Sequence, residues 1–282
     1  MGFIEAGRDK KELSPVKIPG LDGKRIISIA SGADHCLALG EDGRVWQWGD
    51  ACTCTKGNNI KDYEEKLRPS CVPLPAGATG IFAGSCCSFA VFGDGSVYGW
   101  GLDNFGQLGV ESQPRDPHAD QWVYPPKMVV GNFGDTSVRK ISSADQHTLF
   151  LLADGRVFSC GCHHYGRLGI RGLQGDVRTP KEISKPESSI VNFYVDIGVG
   201  QLHSVALTKS GEAFAWGAGD DLQLGTGSTD EETIPVMLQG IQLKGDKSRG
   251  VPQRQGIAVA CGFQHTAIIA CLRKEHGSSN LL

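Results

Sequence analysis

Two sets of side chains have types and spacings that could do chemistry. The first is Cys160-x-Cys162-His163-His164, with Cys52-x-Cys54 available as a second half. Thiolate and imidazole are the natural ligands of zinc, so this run could form a metal knuckle. The second is His35, His147, His203 and His265, a histidine that returns along the chain and could form a ring of ligands or acid–base groups. A third candidate dissolves at once. Gly198-Val199-Gly200-Gln201-Leu202-His203 opens like a dinucleotide fingerprint but lacks the last glycine and the strand–helix–strand context. No Walker loop, no His-Glu-x-x-His and no nucleophile elbow occurs in the sequence.

The elements that must position these residues are copies of one unit. Val157-Phe158-Ser159-Cys160-Gly161, running on to Tyr165-Gly166-Arg167-Leu168-Gly169, recurs in altered spelling. Its sisters are Val45-Trp46-Gln47-Trp48-Gly49, Val97-Tyr98-Gly99-Trp100-Gly101 with Gly106-Gln107-Leu108-Gly109, and Ala213-Phe214-Ala215-Trp216-Gly217 with Leu222-Gln223-Leu224-Gly225. A second phrase precedes each copy: Gly32-Ala33-Asp34-His35, Gly84-Ser85-Cys86-Cys87, Ala144-Asp145-Gln146-His147 and Gly200-Gln201-Leu202-His203, with a fifth at Gly262-Phe263-Gln264-His265. Their fourth residues lie 52, 60, 56 and 62 positions apart, near the period of propeller repeats with loop insertions. Between the phrases sit Asp42-Gly43, Asp94-Gly95, Asp154-Gly155 and Ser210-Gly211, which suit hairpin loops whose two central residues take positive φ. The strand after each turn alternates a large residue with a slim one, which predicts two buried faces of unequal bulk, as in radially packed sheets. No long segment holds a 3.6 period, so a helical solenoid is disfavoured and an all-β propeller is predicted. The polar stretches Cys52 to Leu67, Gln113 to Tyr124 and Arg171 to Ser189 read as inserted loops.

The repeat changes how the reactive-looking residues read. Cys160 stands where three sister repeats carry Trp, and His163-His164 stand in a variable loop that reads Asp103-Asn104 in the second repeat. No metal site is expected there. A histidine returning once per blade reads as a hydrogen-bonding tether between neighbouring strands, since buried polar groups need partners. Cys87 replacing it in one repeat fits a structural role better than a catalytic one.

The 282 residues and the repeat spacing leave room for one large all-β domain. A formal charge of −3, with both signs mixed throughout, leaves no basic stripe for direct binding of DNA or RNA. Residues 1–17 lack the apolar core of a signal peptide, and no run near twenty apolar residues occurs. Ten cysteines without a secretory signal suggest a reducing compartment, nucleus or cytosol, with buried thiols acting as small hydrophobes. No membrane partner is expected.

The Gly-x-x-His phrase, the Asp-Gly turn and the closing Tyr165-Gly166-Arg167-Leu168-Gly169 or Leu222-Gln223-Leu224-Gly225-Thr226-Gly227 resemble the repeat of the regulator of chromosome condensation (RCC1) family, from about Gly2 to Ala270. Lys10-Lys11 ahead of Pro15-Val16, the long insert before Pro69-Ser70-Cys71-Val72, and His164-Tyr165-Gly166 resemble the founding members more than the wider superfamily. The resemblance implies a seven-bladed β-propeller that acts as guanine-nucleotide exchange factor for the small GTPase Ran, docked on chromatin in the nucleus. This chain would supply four to five of its repeats, beginning inside the third blade. A basic N-terminal tail, which carries the histone contacts, and two further blades would come first, and a β-wedge toward the GTPase would lie at or just before Met1-Gly2-Phe3. The expected architecture is thus a partial propeller over residues 1–271, with a polar tail over 272–282. An open arc of this kind would expose apolar blade faces at both ends, and the last repeat, stopping after Ile268-Ile269-Ala270-Cys271, would be completed by N-terminal strands.

Exchange makes and breaks no bond in the nucleotide. The factor binds the nucleotide-free GTPase better than the loaded form, so it needs a shaped face and no catalytic residue. The resemblance places GTPase contacts just before the repeated histidine, at Asp34, Cys86, Gln146, Leu202 and Gln264. Asp34 matches a functional Asp of the family and could pair with a basic group, and His265 matches a functional His. Asp230-Glu231-Glu232 forms an acidic loop that could meet a basic helix. No cofactor is implied, and the protein is expected to be a monomer. The rival reading is a propeller of this type serving as a scaffold without exchange activity, since one fold hosts many functions. A propeller enzyme would need acid–base residues along a central channel, and the inner strands offer none beyond the repeated His.

Overall fold

The computed structural model describes residues 17–49, 68–112, 120–186 and 193–272. They belong to two compact units, one formed by residues 1–164 with 172–183 and the other by 165–171 with 184–282. The wedge expected at Met1-Gly2-Phe3, the Cys52-x-Cys54 pair and the residues beyond 272 lie outside the described residues.

The first unit holds three four-stranded antiparallel sheets, each a meander in chain order. They are β1 (Ile26–Ser31), β2 (His35–Gly40), β3 (Val45–Gly49) and β4 (Ser70–Cys71); β5 (Ala78–Ala83), β6 (Cys87–Phe92), β7 (Val97–Leu102) and β8 (Trp122–Met128); β9 (Val138–Ser143), β10 (His147–Leu152), β11 (Val157–Gly161) and β12 (Val177–Glu182). The second unit holds β13 (Tyr194–Val199), β14 (His203–Thr208), β15 (Ala213–Gly217) and β16 (Glu232–Met237), then a helical turn at Ile241–Lys244 and the two-stranded sheet of β17 (Arg254–Cys261) and β18 (Thr266–Leu272).

The large-and-small alternation does what the sequence predicts, because β3, β11 and β15 are buried at every position. In the first unit Leu37, Leu39 and Val45 pack with Ala78, Ile81, Ala90, Phe92 and Trp100 of the next sheet. Phe89 meets Phe150 of the third sheet edge to face, with ring centroids 5.8 Å apart. In the second unit Val205, Leu207, Ala213 and Ala215 close on Leu224 and Val259. Each such large apolar side chain contributes about 1.5–3 kcal/mol by leaving water.

Two expectations need correction. The Asp-Gly turns do not place both central residues at positive φ. Only Gly43, Gly95, Gly155 and Gly211 lie there, at 73°, 87°, 82° and 84°, and each donates its N–H to the carbonyl three residues back at 3.0 Å. The reason is the aspartate itself. Oδ1 of Asp42, Asp94 and Asp154 accepts the N–H of Arg44, Ser96 and Arg156 at 3.1, 2.9 and 3.1 Å, a local bond that holds a turn with one left-handed glycine. The second correction concerns the presumed loops. Arg171 to Ser189 contains β12, and Gln113 to Tyr124 runs into β8. These outer strands are half exposed and carry Pro125, Pro126 and Pro180, so the apolar alternation that marks inner strands is missing, as outer-edge positions allow.

Burial at one repeat position reports what each sheet packs on. Ile81 and Ile141 are 6% and 4% exposed, whereas Ile29, at the same place in β1, is 74% exposed. Among the described residues no sheet precedes β1 to cover it. In the second unit Leu207 is fully buried, while Ile269 in the matching strand is 62% exposed.

Candidate functional site

The candidate site residues lie on the Gly-x-x-His turns and their variants, which enter β2, β6 and β10 in the first unit and β14 and β18 in the second. Each turn closes on itself, the first residue donating its N–H to the carbonyl of the fourth at 2.8–3.1 Å: Gly32 to His35, Gly84 to Cys87, Ala144 to His147, Gly200 to His203 and Gly262 to His265. The two middle residues are thereby pushed outward. A Cβ on Gly32 would stand 2.2 Å from the Gly84 carbonyl oxygen and 2.3 Å from the His35 ring, which folds back over the glycine. Ala144 takes that place before His147, so the requirement is strong without being absolute.

Hydrogen bonds tie these turns to the adjacent repeats. In the first unit Ala33 donates to the Ser85 carbonyl at 3.1 Å, and Gln107 Nε2 donates to the Asp145 carbonyl at 3.1 Å. In the second, Gln201 donates to the Phe263 carbonyl at 2.9 Å. The aromatic strands reach the same places at their C-terminal ends. Gly49, Gly101, Gly161 and Gly217 have φ of 108–114°, and a Cβ on any of them would come within 2.2–2.5 Å of the carbonyl oxygen of Asp34, Cys86, Gln146 or Leu202. A side chain there meets both a disfavoured φ and a backbone collision.

Two of the repeated histidines, His35 and His203, are tethers from one sheet to the next. His35 Nε2 lies 2.9 Å from Ser88 Oγ, and His203 Nε2 lies 3.0 Å from Thr266 Oγ1, which itself donates to the Gln223 carbonyl at 2.9 Å. His35, His147 and His203 are 3% exposed or less. Burial, with the charge of His265 adding, pulls the His203 pKa down to about 4. Burial lowers that of His35 too, against a smaller opposing effect of Asp34. Neutral, enclosed imidazoles of this kind cannot pass protons to an outside substrate. His265 differs from them: it is exposed, because among the described residues no further sheet offers it a hydroxyl.

The sequence-predicted contacts divide between the units. In the first, Asp34 is exposed and Gln146 half-buried, at equivalent turn positions with Cys86 in the turn between them. In the second, Gln264 and His265 are exposed on the last turn, and Leu202 is half-buried. Asp230 and Glu231 are exposed just ahead of β16. The Asp230 carbonyl packs against Gly219, and Ala218 donates to the Leu202 carbonyl at 3.0 Å, so the acidic loop shares one end of its sheet with the 200–203 turn. Burial, with the charge of Asp230 adding, raises the pKa of Glu232. Ser228 Oγ donates to Asp230 Oδ2 and accepts from its backbone N–H.

Sequence reasoning missed the residue before each Leu-Gly. Gln107, Arg167 and Gln223 are at most 5% exposed. The Arg167 carbonyl accepts Trp216 Nε1 and Ser204 Oγ, both at 2.9 Å, and the Gln107 carbonyl accepts Cys160 Sγ at 3.4 Å. The recurrence of Gln-Leu-Gly and Arg-Leu-Gly was the available signal. Cys160 does sit in the tryptophan slot, fully buried, and desolvation pushes its thiol well above the ordinary range, with Asp103 and Cys87 adding.

Comparison with known proteins agrees with this geometry. Residues 1–268 match the family described as RCC1-like domain. The regulator of chromosome condensation of Xenopus laevis is 30% identical over 278 residues, 92% of this chain and 60% of that protein. The guanine nucleotide exchange factor SRM1 of Saccharomyces cerevisiae is 27% identical over 277 residues, 94% of this chain and 54% of that protein. Other relatives bear different names, among them the human E3 ubiquitin-protein ligase HERC2, 33% identical over 85% of this chain and 4% of its own length. The crystal structure of Prp20p from Saccharomyces cerevisiae, described with its binding properties to Gsp1p and histones, superposes with a TM-score of 0.79 at 25% identity, covering 93% of this chain and 59% of that one. The chain thus spans about three fifths of the length of the regulator of chromosome condensation. Its sheets are blades of an RCC1-type β-propeller, and the chain belongs to the RCC1-like domain family.

Proposed function

We propose that this chain is the GTPase-facing part of a guanine-nucleotide exchange factor for a Ran-type small GTPase. The observation that carries the reading is the set of hydrogen-bonded turns in each unit: they present exposed or half-buried side chains, while His35 and His203 are bonded to neighbouring sheets. Such a surface suits recognition by fit and charge. In this reading Asp34 and Gln146 on one unit, and Asp230, Glu231, Gln264 and His265 on the other, touch the GTPase. The acidic members meet basic groups, which adds specificity and speeds encounter.

Exchange follows from differential affinity. A face that binds the nucleotide-free GTPase more tightly than the GDP-bound form lowers the affinity for GDP by the same factor, by linkage. No proton or bond is transferred, so no catalytic residue, cofactor or metal enters this step. The relative named as an exchange factor and the Prp20p description of Gsp1p and histone binding support this reading. The histone binding described for Prp20p is the support for a nuclear, chromatin-associated place; we further propose that the protein acts as a monomer and that the family's N-terminal region carries the histone contacts. HERC2 supports a second reading, a scaffold without exchange activity.

Release of fluorescent mant-GDP from Ran separates the two. Exchange predicts that release rises with the concentration of this protein. Stable binding to the GTPase with no change in release supports the scaffold.

A further inference from the structure

We propose that Cys162, His164 and Asp176 form a zinc site on the loop that follows β11. Cys162 Sγ stands 3.2 Å from His164 Nδ1, and one ligand atom from each of the three residues lies within 4.8 Å of the other two. Ligands at about 2.0–2.3 Å from a tetrahedral zinc stand about 3.3–3.8 Å from one another, so small side-chain adjustments close the shell.

The backbone around the cluster is fixed. Gly161 ends β11 with φ of 114°, and Cys162 is then anchored by its N–H to the Gln146 carbonyl at 2.8 Å. This bend separates the two cysteines of the sequence run. Cys160 is bonded to the Gln107 carbonyl inside the core, while Cys162 meets the histidine loop. Asp176 arrives from the next strand, since Val177 pairs with Gly161.

His163 completes the arrangement without being a ligand. Its ring Nδ1 lies 2.9 Å and its backbone N 3.0 Å from Asp176 Oδ1, which orients the carboxylate and leaves Oδ2 for the ion. Metal-bound carboxylates are commonly held by such outer partners. A thiolate, an imidazole and one carboxylate form a donor set that suits zinc better than magnesium or calcium. Cys162 is 1% exposed, while His164 and Asp176 face solvent. The ion would therefore rest on the core side against sulfur and keep its fourth position for water. On binding, the Cys162 thiol gives its proton to solvent and the thiolate bonds zinc, so uptake releases a proton.

The test is metal titration of the chelator-treated, reduced chain. Zinc is expected to bind at one equivalent per chain, and cobalt to give tetrahedral ligand-field bands with a thiolate-to-cobalt charge-transfer band. Exchanging the exposed ligands in the double variant His164→Ala/Asp176→Asn should weaken zinc at least tenfold while the thermal melting of the metal-free chain is unchanged. Cys162→Ala should abolish the charge-transfer band. His163→Ala should keep the band and weaken zinc by about 10–100-fold, as for an outer partner. Equal zinc affinity in the parent and the double variant, or a cobalt complex without thiolate charge transfer, overturns the site. Neither result bears on exchange activity.

Discussion

At the scale of single residues, the slot that ends each aromatic strand is a hydrogen-bonding position as much as a packing one. Trp100 donates to Gln47 Oε1 at 2.8 Å, Trp216 to the Arg167 carbonyl, and Cys160 to the Gln107 carbonyl with a smaller side chain. Cys160→Ala should cost about 1–2 kcal/mol through a small cavity and a lost bond, read as a lower urea midpoint, with GDP release unchanged. A loss of exchange at full stability would place Cys160 in the docking face instead. The raised thiol pKa adds that Cys160 should resist alkylation until the protein unfolds. Asp34 is the opposite case, exposed on its turn. Asp34→Ala should slow exchange about tenfold, or about 1.4 kcal/mol, at unchanged stability; an unaltered rate removes it from the interface. Cys160 was legible in the sequence because its neighbours align with three tryptophans. The exposure of His265 was not, because the His phrase is the same whether or not another sheet follows it.

At the scale of the element, each blade hangs from its Gly-x-x-His turn. Gly101→Ala sets a Cβ 2.2 Å from the Cys86 carbonyl at a φ of 110°. It should destabilise by at least about 2 kcal/mol, whereas a cost below about 0.5 kcal/mol would show that turn and strand end are not locked together. The tether predicts a pH dependence with a definite sign. The unfolded chain protonates His203 near 6.5, while the folded chain refuses the proton until about pH 4. The contribution of the neutral tether is therefore complete above 6.5 and is lost as the pH falls toward 4. The urea midpoint should drop between about pH 7 and about pH 4.5, and drop less in His203→Gln; parallel profiles would contradict the tether. The inner strands and turn positions could be read from side-chain type alone. The turn geometry could not, since Asp42, Asp94 and Asp154 bond their own backbone. The outer strands were hidden by half-exposed, proline-bearing sequences. The Cys162–His164–Asp176 cluster was hidden because Asp176 reaches the histidines only through the pairing of β12 with β11.

At the scale of the molecule, one pattern serves two ends: hydrogen bonds hold the turns within each unit, and the same turns present exposed or half-buried side chains. The measurement that meets the central claim most directly is mant-GDP release from Ran in the presence of this chain and of its Asp34→Ala variant. The account predicts release that accelerates with the parent protein and accelerates about tenfold less with the variant. Release at the spontaneous rate with either protein would contradict it.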